Sequence, residues 1–240
     1  MGGEDIMIKY KYECNVNYFE TIDTEDKAYW LGFIYADGCI DNDCKVLIIN
    51  LNPIDLNHLI LFNECIGSNY PITYQDNNRY ISLRITRKEF VKHLVNKGCT
   101  PRKSLTLKFP TSDQLPLHLV KHFIRGYFDG DGCLHTRLRK CPNKLRPYLE
   151  CEVNFLGTYD MLYSISQNIP INNIKILQFG NIYKFRISSK KNIILLLDYL
   201  YQDSLFYLQR KYDKCITDIK NYKLEPLDIF ISQNPVTITG

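Results

Sequence analysis

Two similar stretches of the chain, "YWLGFIYADGCI" at 29–40 and "FIRGYFDGDGCL" at 123–134, each contain an acidic residue three positions before their end. Both stretches read as helices, so Asp37 and Asp131 fall at predicted helix C-termini. That end is the negative end of the helix dipole, and a carboxylate there costs about 0.3–1 kcal/mol unless its charge is offset. Divalent cations such as Mg²⁺ bind carboxylate oxygens and bridge them to phosphate. The two acids therefore indicate metal-assisted cleavage of a phosphodiester bond.

Small residues spaced four apart predict that these two helices pack against each other. Gly32 and Ala36 share one face of the first helix, and Gly126 and Gly130 share one face of the second. Because a glycine inside a helix costs about 1 kcal/mol relative to alanine, this spacing indicates a close approach of the two backbones. The two carboxylates would then stand side by side, and their repulsion would favour a bound cation.

The elements that must position these acids repeat along the chain, which indicates an internal duplication. Each half reads as αββαββα and begins with its motif helix. We expect a first half at 17–100, a linker at 101–115, a second half at 116–222 and an extended tail at 223–240. A pseudo-twofold axis would bring the two motif helices together.

The composition is that of a globular intracellular protein. Apolar residues make up 45% and aromatic residues 13% of the 240 residues, and the net charge is +4. No apolar run approaches the roughly 20 residues of a membrane span, and the N-terminus lacks a signal-peptide pattern. We therefore expect no membrane partner and a location in the cytoplasm, the nucleoid or an organelle. The nine cysteines include no CxxC pair, which favours reduced thiols over a structural zinc site.

The stretches "LGFIYADG" and "IRGYFDGDG" resemble the two motif copies of the LAGLIDADG homing endonuclease family, in its monomeric two-motif form. The stretches "KGCTPRKSLTLKFP" and "LQRKYDKC" resemble further family blocks, and the likeness extends from about residue 17 to 222. The resemblance implies an α+β fold of two pseudo-symmetric αββαββα units, joined through paired motif helices. Each unit would present an antiparallel four-stranded sheet to the major groove of DNA.

The resemblance also implies a function. The protein would be a site-specific endonuclease that hydrolyses both strands of a long asymmetric DNA target and leaves short 3′ overhangs. Its partner would be double-stranded DNA, and a chain that carries both motifs would act as a monomer, free-standing or intron-encoded. It would use Mg²⁺, with Mn²⁺ as a substitute, while Ca²⁺ would support binding without cleavage.

The resemblance assigns the metal ligands to the ends of the two motifs. The last acid of each motif binds metal in the family, which points to Asp37 and Asp131 as catalytic residues. Gly38 and Gly130 stand next to these acids and are expected to join them as ligands. Asp129 is placed outside the site, because its first-half counterpart is a tyrosine and cannot act as a carboxylate.

A basic residue per half is also implied near the site. The matches are Lys103 in "PRKS" and Lys211 in "QRKY", and the preceding Arg102 and Arg210 could share their role. A lysine near the scissile phosphate can orient water or stabilise developing charge, although a solvated surface lysine is the simpler alternative. For the polar residue that the family often adds at a strand end, the first half offers Asn52 and the second half has only a glycine there.

Strand side chains that face the groove would supply specificity, because Arg and Lys can read guanine while Gln and Asn can read adenine. A basic run at 137–146 supports a DNA-contacting hairpin in the second half. The candidates are Lys45, Gln75, Arg79 and Arg84 in the first half, and Arg137, Arg139, Lys140, Arg146, Glu150, Gln178, Lys184 and Arg186 in the second.

Three other readings stay open at the level of sequence. A non-cleaving member of the same fold could act as an RNA-splicing maturase or a DNA-binding regulator, although both motif acids are present. The endonuclease part of an intein would need flanking splicing blocks, which the chain lacks. A metabolic protein with a duplicated fold would need a nucleotide loop or a nucleophile motif, and the sequence contains no GxGxxG, GxxxxGK[ST] or HExxH.

Overall fold

The first half of the molecule is one αββαββα unit. The computed structural model describes residues 10–139 and 148–220. Pro53 opens a 3-10 turn that leads into the second helix, because its fixed φ suits the first position of a helix. The elements are α1 (Glu25–Asp37), β1 (Gly38–Ile40), β2 (Leu47–Leu51), α2 (Leu56–Cys65), β3 (Ile72–Gln75), β4 (Tyr80–Ile85) and α3 (Lys88–Asn96).

The second half repeats this order, which confirms the two predicted units. A final helix, α7, is one element more than the predicted pattern contains. The predicted tail at 223–240 lies outside the described residues. The elements are α4 (Val120–Asp131), β5 (Cys133–Arg139), β6 (Tyr148–Gly157), α5 (Tyr159–Gln167), β7 (Ile176–Phe179), β8 (Ile182–Ile187), α6 (Lys190–Tyr201) and α7 (Gln209–Lys220).

Each half builds a four-stranded antiparallel sheet, and the two sheets have the same topology. The strand orders are β1-β2-β4-β3 and β5-β6-β8-β7. Ile49 of β2 stands opposite Leu83 of β4, and Phe155 of β6 stands opposite Phe185 of β8. All four side chains are buried, so the register places apolar pairs on the same side. The predicted α+β fold with two antiparallel sheets is confirmed.

Alternation along the strands gives each sheet a buried side and an accessible side. In β4, Leu83 and Ile85 are fully buried, whereas Arg84 between them is exposed. This pattern is typical of an antiparallel sheet with one face packed on the core. We call the side that carries the accessible alternate residues the open face. No helix within residues 10–139 and 148–220 has the length and apolar character needed to cross a membrane.

The two motif helices pack backbone to backbone. A Cβ atom added to Gly32 would overlap the carbonyl oxygen of Phe123, and one added to Gly126 would overlap that of Tyr29. A Cβ atom at Gly130 would overlap the Ala36 methyl group. Any larger side chain at these positions would therefore have to move a helix. The contact places the C-terminal ends of α1 and α4 next to each other.

This close approach predicts that Gly126→Ala will destabilise the protein strongly. The new methyl group would overlap Tyr29 O and stand 2.8 Å from Phe33 N, and neither backbone atom can move alone. We expect the free energy of unfolding to fall by about 3 kcal/mol in urea. The control is Gly67→Ala, where φ is +56° but nothing lies within 4 Å. Its loss should be only about 1 kcal/mol, and equal losses would contradict the packing argument.

Candidate active site

Asp37 and Asp131 are the last residues of the two motif helices, and a glycine follows each of them. The N–H groups of these glycines continue the helical hydrogen bonds, from Gly38 to Ile34 O and from Gly132 to Phe128 O. The backbone of both glycines is extended, so a left-handed turn does not explain them. A Cβ atom at either one would collide with the preceding helical turn. Glycine is thus required here by close packing.

The two carboxylates share one electrostatic environment. The pKa of Asp37 is raised to about 6. Burial is the larger cause, and the negative charge of Asp131 is the second. The ammonium groups of Lys211 and Lys103 act against that rise. Burial also raises the pKa of Asp131, although its side chain keeps contact with solvent, and the same two lysines oppose the effect. Two carboxyl groups and two lysine ammonium groups therefore meet at the paired helix ends.

The two lysines bind the carbonyl groups that end the motif helices. Lys103 Nζ donates to Ala36 O at 3.1 Å. Lys211 Nζ donates to Phe128 O at 2.8 Å, to Gly130 O at 2.9 Å and to the carbonyl oxygen of the next glycine. A lysine ammonium has three donors, and Lys211 uses all of them in this way. These contacts offset the negative end of each helix dipole.

The neighbouring arginines have other partners. Arg210 forms a two-pronged ion pair with Asp55, through Nε at 3.1 Å and Nη2 at 3.0 Å. Asp55 is buried at the start of α2, so this pair ties α7 of the second half to the first half. Arg102 donates to Asn42 Oδ1 at 3.0 Å in a surface loop. Both arginines therefore have partners other than the carbonyl groups that end the motif helices.

The polar residue predicted at the strand end has a local structural task. Asn52 Oδ1 accepts a hydrogen bond from Ile54 N at 3.1 Å and caps the 3-10 turn before α2. Sequence reasoning missed Asn154, which is 7% exposed and lies opposite Cys133, two residues beyond the second motif acid. Its alternation with Glu150 and Glu152 in "ECEVN" could have identified it as a residue of the open face.

Asp129 lies outside the site, and a network of buried donors surrounds it. Tyr29 and Tyr201 donate to its carboxylate at 2.8 and 2.6 Å, and Leu208 N donates at 2.7 Å. Leu208 immediately precedes α7, so the carboxylate fixes the point from which α7 reaches the motif helix. Sequence reasoning excluded Asp129 from the site but could not find this anchor, because its partners are distant in sequence.

Loss of this anchor should be costly. Asp129→Ala would leave the hydroxyl of Tyr201 and the N–H of Leu208 without their buried acceptor, and Tyr29 would keep only His58 as a partner. We therefore expect the free energy of unfolding to drop by about 3–5 kcal/mol. Tyr201→Phe is the matched control, since it removes only one of the three hydrogen bonds and should cost about 1 kcal/mol. Urea unfolding of the two variants measures the difference. Similar losses in both would show that the carboxylate does not hold the network together.

A second buried ion pair links the start of α1 to α4, and no sequence pattern predicts it. Arg125 is fully buried and donates to Glu25 Oε1 at 2.6 Å. It also donates to Phe206 O and Leu200 O, at 2.7 and 3.1 Å. One guanidinium group therefore joins both motif helices to the connection that precedes α7.

The donor set at the helix ends fits a hard divalent cation. No group of three or more His, Cys, Asp or Glu side chains with metal-binding geometry occurs within residues 10–139 and 148–220. The two motif carboxylates alone suit Mg²⁺, which takes one or two carboxylates and fills its remaining positions with water and phosphate oxygens. The carbonyl of Gly130, a predicted ligand, already accepts from Lys211 at 2.9 Å.

The predicted DNA-contacting residues fall into distinct groups. Lys45 and Arg79 lie in hairpin turns beside Asp43 and Asp76. Gln178 stands opposite the core-side residue Tyr183, so the prediction that it faces the groove is wrong by one residue of register. Lys140 and Arg146 lie outside the described residues, as does the side chain of Arg139. The open faces carry Gln75, Arg84, Arg137, Glu150, Lys184 and Arg186.

The raised pKa of Asp37 predicts how stability depends on pH in the metal-free protein. The folded state keeps the proton of Asp37 up to about pH 6, whereas the unfolded chain loses it near pH 3.8. The free energy of unfolding should therefore fall as the pH rises between these values. Asp37→Asn should flatten that decline and stabilise the protein at pH 7 by about 1–3 kcal/mol.

Urea unfolding in EDTA across this pH range measures the effect. Asp113→Asn serves as the control, because Asp113 lies in an exposed loop away from the helix ends. A lower stability of Asp37→Asn at pH 7 in EDTA would contradict the description of two repelling carboxylates.

Comparison with known proteins supports the similarity of the second half to one family. Residues 124–222 match the model of the LAGLIDADG endonuclease family. A curated relative, the DNA-directed RNA polymerase subunit Rpo1C of Methanocaldococcus jannaschii, is 30% identical over 110 residues. The match covers 45% of this chain, and it spans only 12% of that protein's length.

Solved structures extend the likeness to both halves. The LAGLIDADG meganuclease I-AabMI, bound to uncleaved DNA, matches with a TM-score of 0.60 at 14% identity, over 85% of this chain and 91% of that one. The homing endonuclease I-LtrWI, bound to target DNA, matches with a TM-score of 0.59 at 12% identity, over 91% and 97% of the two chains. At this identity the likeness establishes the fold.

Proposed function

We propose that this chain is a two-motif LAGLIDADG protein and a DNA endonuclease, on the basis of the fold of both halves and the family match of residues 124–222. The reaction is a divalent-metal-dependent double-strand break at a long asymmetric site, made by phosphodiester hydrolysis and leaving short 3′ overhangs. Both motif acids reside in one chain, so a monomer acts on both strands.

One observation carries the proposal: two carboxylates and two lysines converge at the adjoining ends of α1 and α4. The pKa values of Asp37 and Asp131 are raised by burial, and each acid has a counterpart related by the duplication. A structural role would not require the repulsion between two carboxylates at the negative ends of two helices. A pair of equivalent acids fits a pair of equivalent scissile phosphates.

Each residue of the site has a separate task in this proposal. Asp37 and Asp131 would hold Mg²⁺, which when bound would supply charge neutralisation at the phosphate and activation of water. Lys211 fixes the end of α4, because all three of its donors bind carbonyl groups there. Lys103 does the same at the end of α1 through Ala36 O. Their positive charges also lower the cost of bringing a phosphate to two acids.

The sheets supply the binding surface. Their open faces carry polar and charged side chains, and the net charge of +4 favours a negatively charged partner such as DNA. The matching topology of the two sheets places equivalent surfaces on both halves. A duplex that contacts both surfaces would meet the helix ends at its centre, where cleavage would occur.

Substitution of either motif acid tests the proposal. We expect Asp37→Asn and Asp131→Asn to abolish double-strand cleavage of a selected target in Mg²⁺, while binding in Ca²⁺ changes less than about threefold. Gel analysis of cleavage and titration of binding are the measurements. Asp113→Asn, in an exposed loop, should cleave at the wild-type rate.

Two results would refute this assignment. If either acid variant cuts both strands at the wild-type rate, the helix ends are not the catalytic site. If the wild-type protein binds DNA but cuts nothing in Mg²⁺ or Mn²⁺, the chain is a non-cleaving member of the fold, and RNA is the next substrate to test.

A further inference from the structure

The open face of the first sheet is polar but almost uncharged. Across the strands, Asn50 stands opposite Ser82, which in turn stands opposite Thr73. Gln75 donates to the Thr73 hydroxyl at 2.9 Å, so both side chains lie on this face. Ile48 adds an apolar side chain opposite Arg84. Within β1 to β4, all of which the structure describes, Arg84 is the one charged residue of this face.

The open face of the second sheet carries paired charges. Arg137 stands opposite Glu150 and binds its carboxylate at 2.9 Å. Glu152 lies between two cations, with Lys184 at 3.2 Å and Arg186 at 3.5 Å. Four of these residues, all but Lys184, line a groove of about 410 Å³ together with His135 and Thr136.

Carboxylates on a DNA-binding face need a specific explanation. A glutamate repels phosphate, so a surface that served affinity alone would carry only lysine and arginine. The neighbouring cations offset that repulsion and leave carboxylate lone pairs as acceptors. In the major groove, a G·C pair presents two acceptors on guanine and the N4 donor of cytosine. A basic side chain beside a glutamate offers the complementary set.

The first sheet has the complementary chemistry for the other base pair. Amide side chains such as Asn50 and Gln75 can bond adenine through N6 and N7, and an apolar group such as Ile48 can contact the methyl group of thymine. Hydroxyl groups can form hydrogen bonds with either base of a pair. The charged groups that favour G·C pairs are few on the open face of the first sheet. The duplicated fold has thus diverged in the chemistry of its two faces.

We infer that the two sheets read half-sites of opposite composition, A·T pairs under the first sheet and G·C pairs under the second. The inference rests on the proposed function in one respect, the use of the sheets to bind duplex DNA, and it does not depend on cleavage. The residues that determine specificity at the second half-site are Glu150 and Glu152 with their basic neighbours Arg137, Lys184 and Arg186.

Selection from a randomised duplex library in Ca²⁺ tests this inference. The wild-type pool should be asymmetric, with A·T pairs enriched in one half-site and G·C pairs in the other. Glu152→Gln should reduce the preference for G·C at one position of the G·C half by roughly 5- to 150-fold and leave the A·T half unchanged. Gln75→Ala, on the exposed edge strand β3, should relax only the A·T half.

The control is Gln178→Ala, which alters a polar residue on the other side of the second sheet. It should leave the preferences of both half-sites as they are in the wild type. Equal composition in the two halves of the wild-type pool would overturn the inference. Relaxation of the A·T half by Glu152→Gln would also overturn it.

Sequencing of DNA ends after incubation in Mg²⁺ separates this inference from the proposed function. An asymmetric pool without new ends would refute cleavage and support the assignment of the half-sites. New ends within a pool of uniform composition would support cleavage and refute the assignment. If no DNA sequence is enriched in Ca²⁺ and no ends appear in Mg²⁺, both proposals are wrong.

Discussion

The backbone contact between α1 and α4 is the constraint on which the rest of the structure depends. Gly32 and Gly126 each lie against a carbonyl group of the opposite helix, so the separation of the helices is fixed by main-chain atoms. Side chains can change rotamer, but a helix backbone cannot yield locally. The positions of the two terminal carboxylates, and of the sheet that follows each helix, are set by this contact.

The same contact creates an electrostatic difficulty, because it joins two negative helix ends and two acids. Lysines from outside the motifs offset the negative charge at these helix ends. Lys103 enters from the segment between the halves and Lys211 from the last described helix, and both bind terminal carbonyl groups directly. Buried anchors hold α7 in place for this purpose, since Asp129 accepts the N–H of Leu208 just before α7 begins.

Local patterns were enough to predict the order of the elements and the convergence of the motif helices. Small residues four apart and repeated helix, strand and turn signals each lie within a short segment of sequence. They can therefore be recognised without knowledge of the tertiary structure. The partners of Asp129 and Arg125 could not be predicted, because Tyr201, Glu25 and Leu208 are many residues away and become neighbours only in the fold.

Strand faces were predicted less well for a related reason. Side chains alternate with a period of two residues, so an error of one residue in register moves a side chain to the opposite face. Gln178 illustrates this error. Asn154 and Glu152 follow the same alternation as Glu150 in β6, which places all three on the open face, although only Glu150 was among the predicted residues.

The ion pair between Arg210 and Asp55 has a consequence for the modularity of the fold. Lys211 serves the second motif, yet the helix that carries it is fastened to the start of α2 in the first half. The duplicated halves are therefore not interchangeable parts. A chimera that joins the second half to the first half of another protein would separate the helix that carries Lys211 from its support, unless the Asp55 position were grafted along with it.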